Sequence, residues 1–309
     1  MSGALKIRRR LVSVHSVCNF LVNKARFFGK YGGLYTRKKV AERISNALLP
    51  QLEGPIMCPT IYGFDICLDK TNGDAVYHLG FYEAGTIDVI QRSLREGDIF
   101  VDVGSSIGIM SLSASKVVGT SGRVFAFEPD PQRFLNLLTS IEFNGISNVS
   151  ANNHGLGSCT KKERLYTDRG SPSMVMDHDT DNYVETQVHS LDSFLEEHGI
   201  GSVNFIKIDV EGFEFEVLSG AGDLLSRQDS PIICIECNHD FHGSSSSSKN
   251  ILTVIGEMND YKFYLLSGTK AMVSKLRKIN VNDEVIHGDN VFCIREHHRA
   301  YLPWDLFQE

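Results

Sequence analysis

Val101-Asp102-Val103-Gly104-Ser105-Ser106-Ile107-Gly108 is the stretch on which the reading of this chain turns. It closes a short apolar run, Asp98–Val103 (DIFVDV), at Gly104, where the backbone must turn sharply. Gly108 leaves room for a ligand or a helix to come close. The helix expected over 107–118 points its N-terminus at the loop, with unpaired N–H donors. The same alternation continues downstream. Arg123–Phe127 (RVFAF) reads as a strand, Pro131–Asn144 as a helix and Val149–His154 as a third strand. After an irregular polar stretch come a helix at Leu191–His198, a strand at Phe205–Val210 (FIKIDV), a helix at Phe213–Leu225 and a strand at Pro231–Cys237 (PIICIEC). Residues 250–258 read as helix, and Tyr261–Leu266 and Asn290–Arg295 as strands. Nearly all-apolar strands alternating with helices predict an α/β fold, its mostly parallel sheet covered on both faces. The site of such a sheet lies at the carboxyl ends of its strands, by the topological switch point.

The flanks are of different character. Residues 1–50 read as a basic helical N-terminal extension and 51–80 as a small β cap. The α/β domain spans 81–298, opening with a helix over 83–95, and 299–309 form a tail. Residues 1–43 carry eleven Lys/Arg against one acid, a charge of +10; the other 20 basic and 37 acidic residues give −17. An acidic body excludes a generic nucleic-acid binder, which needs a contiguous basic face. The basic arm is suited to weak contact with an anionic membrane surface. No segment reaches the roughly 20 apolar residues that cross a bilayer. The run LVSVHSVCNFLV (11–22) is broken by His15, Ser16 and Asn19. Seven cysteines, an odd number scattered through strands, read as reduced, buried thiols. The expectation is a cytoplasmic protein, peripheral to a membrane at most.

Carboxylates around the loop narrow the chemistry. Asp102 stands one residue before Gly104, where it would repel a dinucleotide pyrophosphate. The spacing Gly-x-x-x-Gly also departs from Gly-x-Gly-x-x-Gly. Both points disfavour an NAD-type oxidoreductase. S-adenosylmethionine (SAM) instead presents an ammonium and a sulfonium, which a carboxylate favours. Glu128 ends the second strand, placed to accept from ribose hydroxyls, while Asp130 before Pro131 suits a helix cap. Asp209, Glu211 and Glu214 crowd the mouth of a buried strand, which is costly without a purpose or a partner.

In order, VDVGSSIG, FAFEPD, LDSF, FIKIDVEGFE and PIICIEC resemble FkbM-type SAM-dependent methyltransferases over residues 80–238, with NVFCIR (290–295) a weaker match. IKIDVEGFE is the most specific segment. The resemblance implies a Rossmann-like class I methyltransferase fold with a seven-stranded sheet and SAM as cofactor. It also implies O-methylation of a hydroxyl on a glycan or small metabolite. Carried over residue by residue, it marks Glu83 (of Tyr82-Glu83), Asp102, Gly104, Ser105, Ser106, Gly108, Glu128 and Asp209 as cofactor-binding. Ser105 and Ser106 depart from the family's Ala-Asn and leave open a member that keeps the fold as a binding module. A hydroxyl acceptor benefits from a base. Asp209, Glu211 and His239 are the expected catalytic residues, His239 as base, with Glu236 and His242 as further candidates. Asp209 with Glu236 or Asn238 offers oxygen donors of the kind that suit Mg²⁺, but their spacing assigns no metal ligand. The acceptor pocket is expected from 51–82, 168–187 and 239–250, which carry no readable specificity code.

Overall fold

A computed structural model describes residues 55–69, 81–167, 171–175, 181–237, 248–281 and 288–308. The basic extension, His239, His242 and Asn238 lie outside these residues. The elements run β1 (Ile56–Pro59), β2 (Asp65–Leu68), α1 (Ala84–Ser93), β3 (Ile99–Val103), α2 (Ile109–Val118), β4 (Arg123–Phe127), α3 (Pro131–Phe143) and β5 (Val149–Asn152). Next come β6 (Gly155–Leu156), β7 (Lys161–Tyr166), β8 (Tyr183–His189), α4 (Leu191–Glu197), β9 (Phe205–Ile208), α5 (Glu214–Ser219), α6 (Gly222–Ser226) and β10 (Ile232–Cys237). The last are α7 (Ser248–Met258), β11 (Lys262–Leu266), β12 (Leu276–Ile279), β13 (Asp289–Ile294) and α8 (Glu296–Arg299). No helix of the described residues is long and apolar enough to cross a membrane.

The described residues fall into two units. The smaller comprises 55–69, 81–82, 107–109 and 132–146. Its strands β1 and β2 form an antiparallel hairpin, from Ile56 opposite Leu68 to Pro59 opposite Asp65. A two-stranded hairpin leaves an edge of unpaired backbone groups. Here the helical segment supplies partners: Ser140 Oγ accepts from Cys67 N (2.8 Å), and the Asn144 amide both accepts from Asp65 N (2.9 Å) and donates to Asp65 O (2.7 Å).

The larger unit holds an eight-stranded sheet in the order β12-β11-β13-β10-β9-β3-β4-β5. Strands β5, β4, β3, β9 and β10 are parallel; β13, β11 and β12 add antiparallel pairs. The chain leaves β3 for β4 on one side and meets β9 on the other, so the switch point lies between β3 and β9. The count exceeds the expected seven by β12, whose sequence LRKI sets two charged residues between two apolar ones and shows no apolar run.

Two further expectations are corrected. The polar stretch read as irregular contains β7 and β8, which pair antiparallel and with β6 form a separate three-stranded sheet. Their exposed residues fall at every second position, Lys162 and Arg164 on one strand and Glu185 and Gln187 on the other, as in strands wet on one face. The single helix expected over 213–225 is two. It breaks at Gly220, where a Cβ would lie 1.9 Å from the Gly157 carbonyl. That close approach is open to glycine alone.

Strand alternation sorts the sheet into two faces. Val101, Val103, Phe125, Phe127, Ile206, Ile208, Ile233 and Ile235 pack with apolar residues of α4, α5, α6 and α7 in one core. The intervening residues Asp102, Lys207, Cys234 and Glu236 point to the other face, with Lys207 in register between Asp102 and Cys234. Three polar or thiol side chains abreast, with Glu236 two residues further along β10, are the unusual feature of this sheet.

One buried histidine sets a pH limit on this unit. His298 accepts from Arg295 N at Nδ1 (3.1 Å) and meets Ser230 O at Nε2 (3.0 Å), a pattern that fits the neutral ring alone. Burial, reinforced by His297, pushes its pKa down from 6.5 to about 4. A depressed histidine stabilises the fold above the unfolded pKa, and that stability is lost as pH falls from 6.5 toward 4. We expect denaturant unfolding to show a loss of up to about 3 kcal/mol across that window. His298→Gln should flatten the profile; an unchanged slope would remove His298 as its source.

Candidate active site

The loop after β3 is shaped by backbone needs. Gly104 has φ +79° and its N–H donates to Phe127 O (3.0 Å). A Cβ there would lie 1.8 Å from Asp209 O, so the tips of β3 and β9 touch through this glycine. Ser105 N also donates to Phe127 O (2.9 Å), tying the turn to the end of β4. Ser106 takes φ +50° and Gly108 φ +92°. Among the described residues, the non-glycines with positive φ are Glu83, Ser106 and Glu211. All three are candidate site residues read from the sequence. Left-handed backbone costs a side-chain-bearing residue on the order of 1–3 kcal/mol and collects at functional sites.

Glu128 stands where the sequence places it, at the tip of β4. Its Oε2 accepts from Ser106 N (2.7 Å) and its Oε1 from Asp130 N (2.9 Å). The carboxylate therefore holds the loop's left-handed residue and the entry to α3 together.

The polar face of the sheet carries the charge. Asp102 is buried and accepts from Ser111 Oγ of α2 at Oδ2 (2.5 Å). Lys207, only 3% exposed at its side chain, pairs with Asp209 (2.6 Å). Burial opposes its charge, but Asp209, Glu83 and Asp102 hold it firmly protonated. Lys270, in the turn between β11 and β12, bridges Glu83 (2.9 Å) and Glu236 (2.5 Å). Its own carbonyl accepts from Gly85 N (3.0 Å), which anchors that turn to the start of α1. Gly85 leaves the room: a Cβ there would sit 2.4 Å from Met272 O. Glu83 caps α1 in a left-handed conformation, with Oε2 accepting from Asn290 Nδ2 (2.7 Å).

Asp209 and Glu236 share a hydrogen bond, and burial followed by the Asp209 charge pushes Glu236 upward. Burial also disfavours charge on Asp209, but Lys207 and the Glu236 hydrogen bond prevail and hold it down. Glu214, read from the sequence as one of three carboxylates at the strand mouth, is buried. Its Oε1 accepts from Val210 N (3.3 Å) and Gly212 N (3.1 Å). It thereby fixes the turn that gives Glu211 its φ of +53°. Burial pushes Glu214 up to about 7. Asp209, Glu211 and Glu236 each bring an oxygen within 4.8 Å of the others. Lys207 and Lys270 already set ammonium groups on two of these three, and no metal ligand is assigned.

The structure thus brings Glu83, Asp102, Gly104, Ser105 and Asp209 to the adjoining ends of α1, β3 and β9, with Glu211 and Glu236 beside them. Three participants escape the sequence reading. Lys207, a lone charge inside FIKI, carried a signal, since a buried charge needs a partner. Asn290 and Lys270 carried none: one sits in an ordinary strand, the other in a polar turn.

Residues 102–263 match the model of the family described as methyltransferase FkbM domain. Hexuronic acid methyltransferase AglP of Haloferax volcanii is 28% identical over 158 residues, covering 51% of this chain and 64% of the relative. Methyltransferase 1 of Beauveria bassiana is 28% identical over 151 residues, covering 41% of this chain and 60% of the relative. The chain spans about three-fifths of the length of these relatives. A SAM-dependent O-methyltransferase from Thermotoga maritima is similar in structure at 13% identity and a TM-score of 0.37. The match covers 77% of this chain and 76% of that one.

Proposed function

The chain belongs to the FkbM methyltransferase family, whose model matches more than half of it, and from that premise we propose that it methylates a hydroxyl on a glycan or small metabolite. Its cofactor is SAM, which supplies an electrophilic methyl group on a sulfonium. The observation that carries the reading is the buried charge at the strand tips. Asp102, Asp209, Glu83 and Glu236 face two ammonium groups, Lys207 and Lys270. A site with surplus carboxyl groups fits a cofactor of net charge +1 and opposes a pyrophosphate. Buried acceptors without a hydrogen-bond donor, Asp102 Oδ1 and Asn290 Oδ1, fit a ligand that brings N–H groups.

In this reading the loop from Gly104 to Gly108, with Ser105 and Ser106, holds the cofactor by its backbone, and Glu128 accepts from ribose hydroxyls. Glu83 and Asp102 favour the cationic end, and Asp209 stands beside the reacting centre. Glu211 acts on the acceptor, as does His239, which lies outside the described residues. These residues hold and orient; alignment and exclusion of water supply much of the acceleration in a displacement of this kind. The name of the Haloferax relative supports a glycan acceptor.

Calorimetric titration with SAM, its demethylated product S-adenosylhomocysteine (SAH) and NAD tests the cofactor reading. We expect the first two to bind and NAD not to. NAD binding without SAM binding would overturn it. Incubation with methyl-labelled SAM and a panel of glycans and metabolites, read by mass spectrometry, tests the acceptor. A product heavier by one CH₂ is expected at oxygen, and transfer to nitrogen or carbon alone would remove the O-methylation reading.

A further inference from the structure

We propose that binding of the cofactor's positive charge drives a proton off the Asp209–Glu236 carboxyl pair, and that Glu236, so ionised, takes the proton of the acceptor hydroxyl. The inference rests on the cofactor reading above. It starts from geometry. Asp209 and Glu236 bring carboxyl oxygens within 4.8 Å of each other, and two anions that close in a largely buried setting repel, so the pair holds a proton. Lys207, in contact with Asp209 alone of the two, favours the anion there and leaves the proton on Glu236.

The surroundings of Glu236 are mixed in sign. Asp209, just past β9, and Glu211 in the following turn bring carboxyl oxygens close to it, and Lys207 and Glu83 act on Cys234, two residues back on its own strand. Lys270 comes from the β11–β12 turn, and Asn290 is its neutral cross-strand partner on β13, with Asp289 one residue beyond. Its own strand adds Cys234 and Cys237, thiols that burial keeps protonated, and Cys237 lies near Glu214. One ammonium, Lys270, is divided between Glu83 and Glu236. The group is therefore short of positive charge, and the donorless oxygens of Asp102 and Asn290, both nine-tenths buried or more, mark the same shortage.

Gly104 presses directly on Asp209, so a sulfonium held on this loop lies beside the carboxyl pair. A fixed positive charge in a buried setting lowers a neighbouring carboxyl's proton affinity. The Glu236 proton then leaves to solvent. In the transfer, Glu236 receives the hydroxyl proton as the oxygen–carbon bond forms and the carbon–sulfur electron pair stays on sulfur. Glu236 ends protonated beside a product that has lost its sulfonium charge. The next cofactor molecule expels that proton, so each turnover releases one.

The test is calorimetric titration of the full chain with SAM and with SAH near pH 7. It is run with EDTA, in buffers of contrasting ionisation enthalpy, which counts the protons exchanged. We expect about one proton released with SAM and none with SAH, the release fading as pH rises and Glu236 ionises unaided. Glu236→Gln should bind SAM with the release lost. SAM binding without release, equal release with SAH, or undiminished release in Glu236→Gln would each overturn the proposal. The last would move the titrating group to His239 or Glu214. Failure of SAM to bind would bring down the cofactor reading, and this proposal with it. Should Glu236→Gln not fold by circular dichroism, Lys270→Met decides. Loss of that ammonium should carry the release to higher pH, and an unmoved profile would count against Glu236.

Discussion

Gly104→Ala is expected to abolish SAM binding, lowering affinity at least a hundredfold and destabilising the chain by roughly 3 kcal/mol or more. Two penalties add at this position. The φ of +79° is one that a Cβ disfavours, at about 1–2 kcal/mol. The Cβ would also stand 1.8 Å from Asp209 O, a backbone atom that cannot swing aside. Relief requires the tips of β3 and β9 to part, which moves both the loop and the carboxyl pair. Gly199→Ala is the control. Gly199 has φ +62° with nothing within 4 Å of its would-be Cβ, so it bears the conformational cost alone, about 1 kcal/mol. Urea unfolding with SAM titration on both variants separates the two contributions. Equal losses in the two would show that the β3–β9 approach has no part in the site.

What the sequence discloses follows from the range of each interaction. Gly104 and Gly108 were legible because the backbone at a strand-to-helix turn limits the residue locally. Glu128 and Asp209 were legible because both end apolar strands, where a carboxylate stands out. Lys270 was not, since its meaning arises only when the β11–β12 turn is brought against Glu83. Likewise β12 (LRKI) is a strand through pairing with β11, not through its own composition. Glu214 shows a subtler failure. Read as one of three carboxylates crowding a strand mouth, it turns out to accept from Val210 N and Gly212 N and so to shape the turn of Glu211. Residue type indicated a carboxylate's presence there; its partner lay in backbone geometry that no spacing rule encodes.

The same contrast makes Lys207 the residue whose removal should cost the fold most. Lys207 lies in β9 between Asp102 on β3 and Cys234 on β10, with its ammonium 2.6 Å from Asp209. Its charge offsets two carboxyls at once, buried Asp102 and partly buried Asp209, since burial pushes Asp102 up and Lys207 is the strongest influence drawing it back. Lys207→Met keeps the volume and the apolar stem but strands both acids. Breaking a buried ion pair from one side costs about 3–5 kcal/mol, more than its formation contributes, because an uncompensated charge remains. The double variant Lys207→Met/Asp209→Asn removes one of the stranded charges and should recover part of that loss. It should bind SAM poorly all the same, since Asp209 is the carboxyl beside the loop. Stability and binding therefore part company: the second substitution restores the first and not the second. Denaturant midpoints and SAM titrations on the two variants read this out. A double variant no more stable than Lys207→Met would mean that the lysine acts by packing, not by charge.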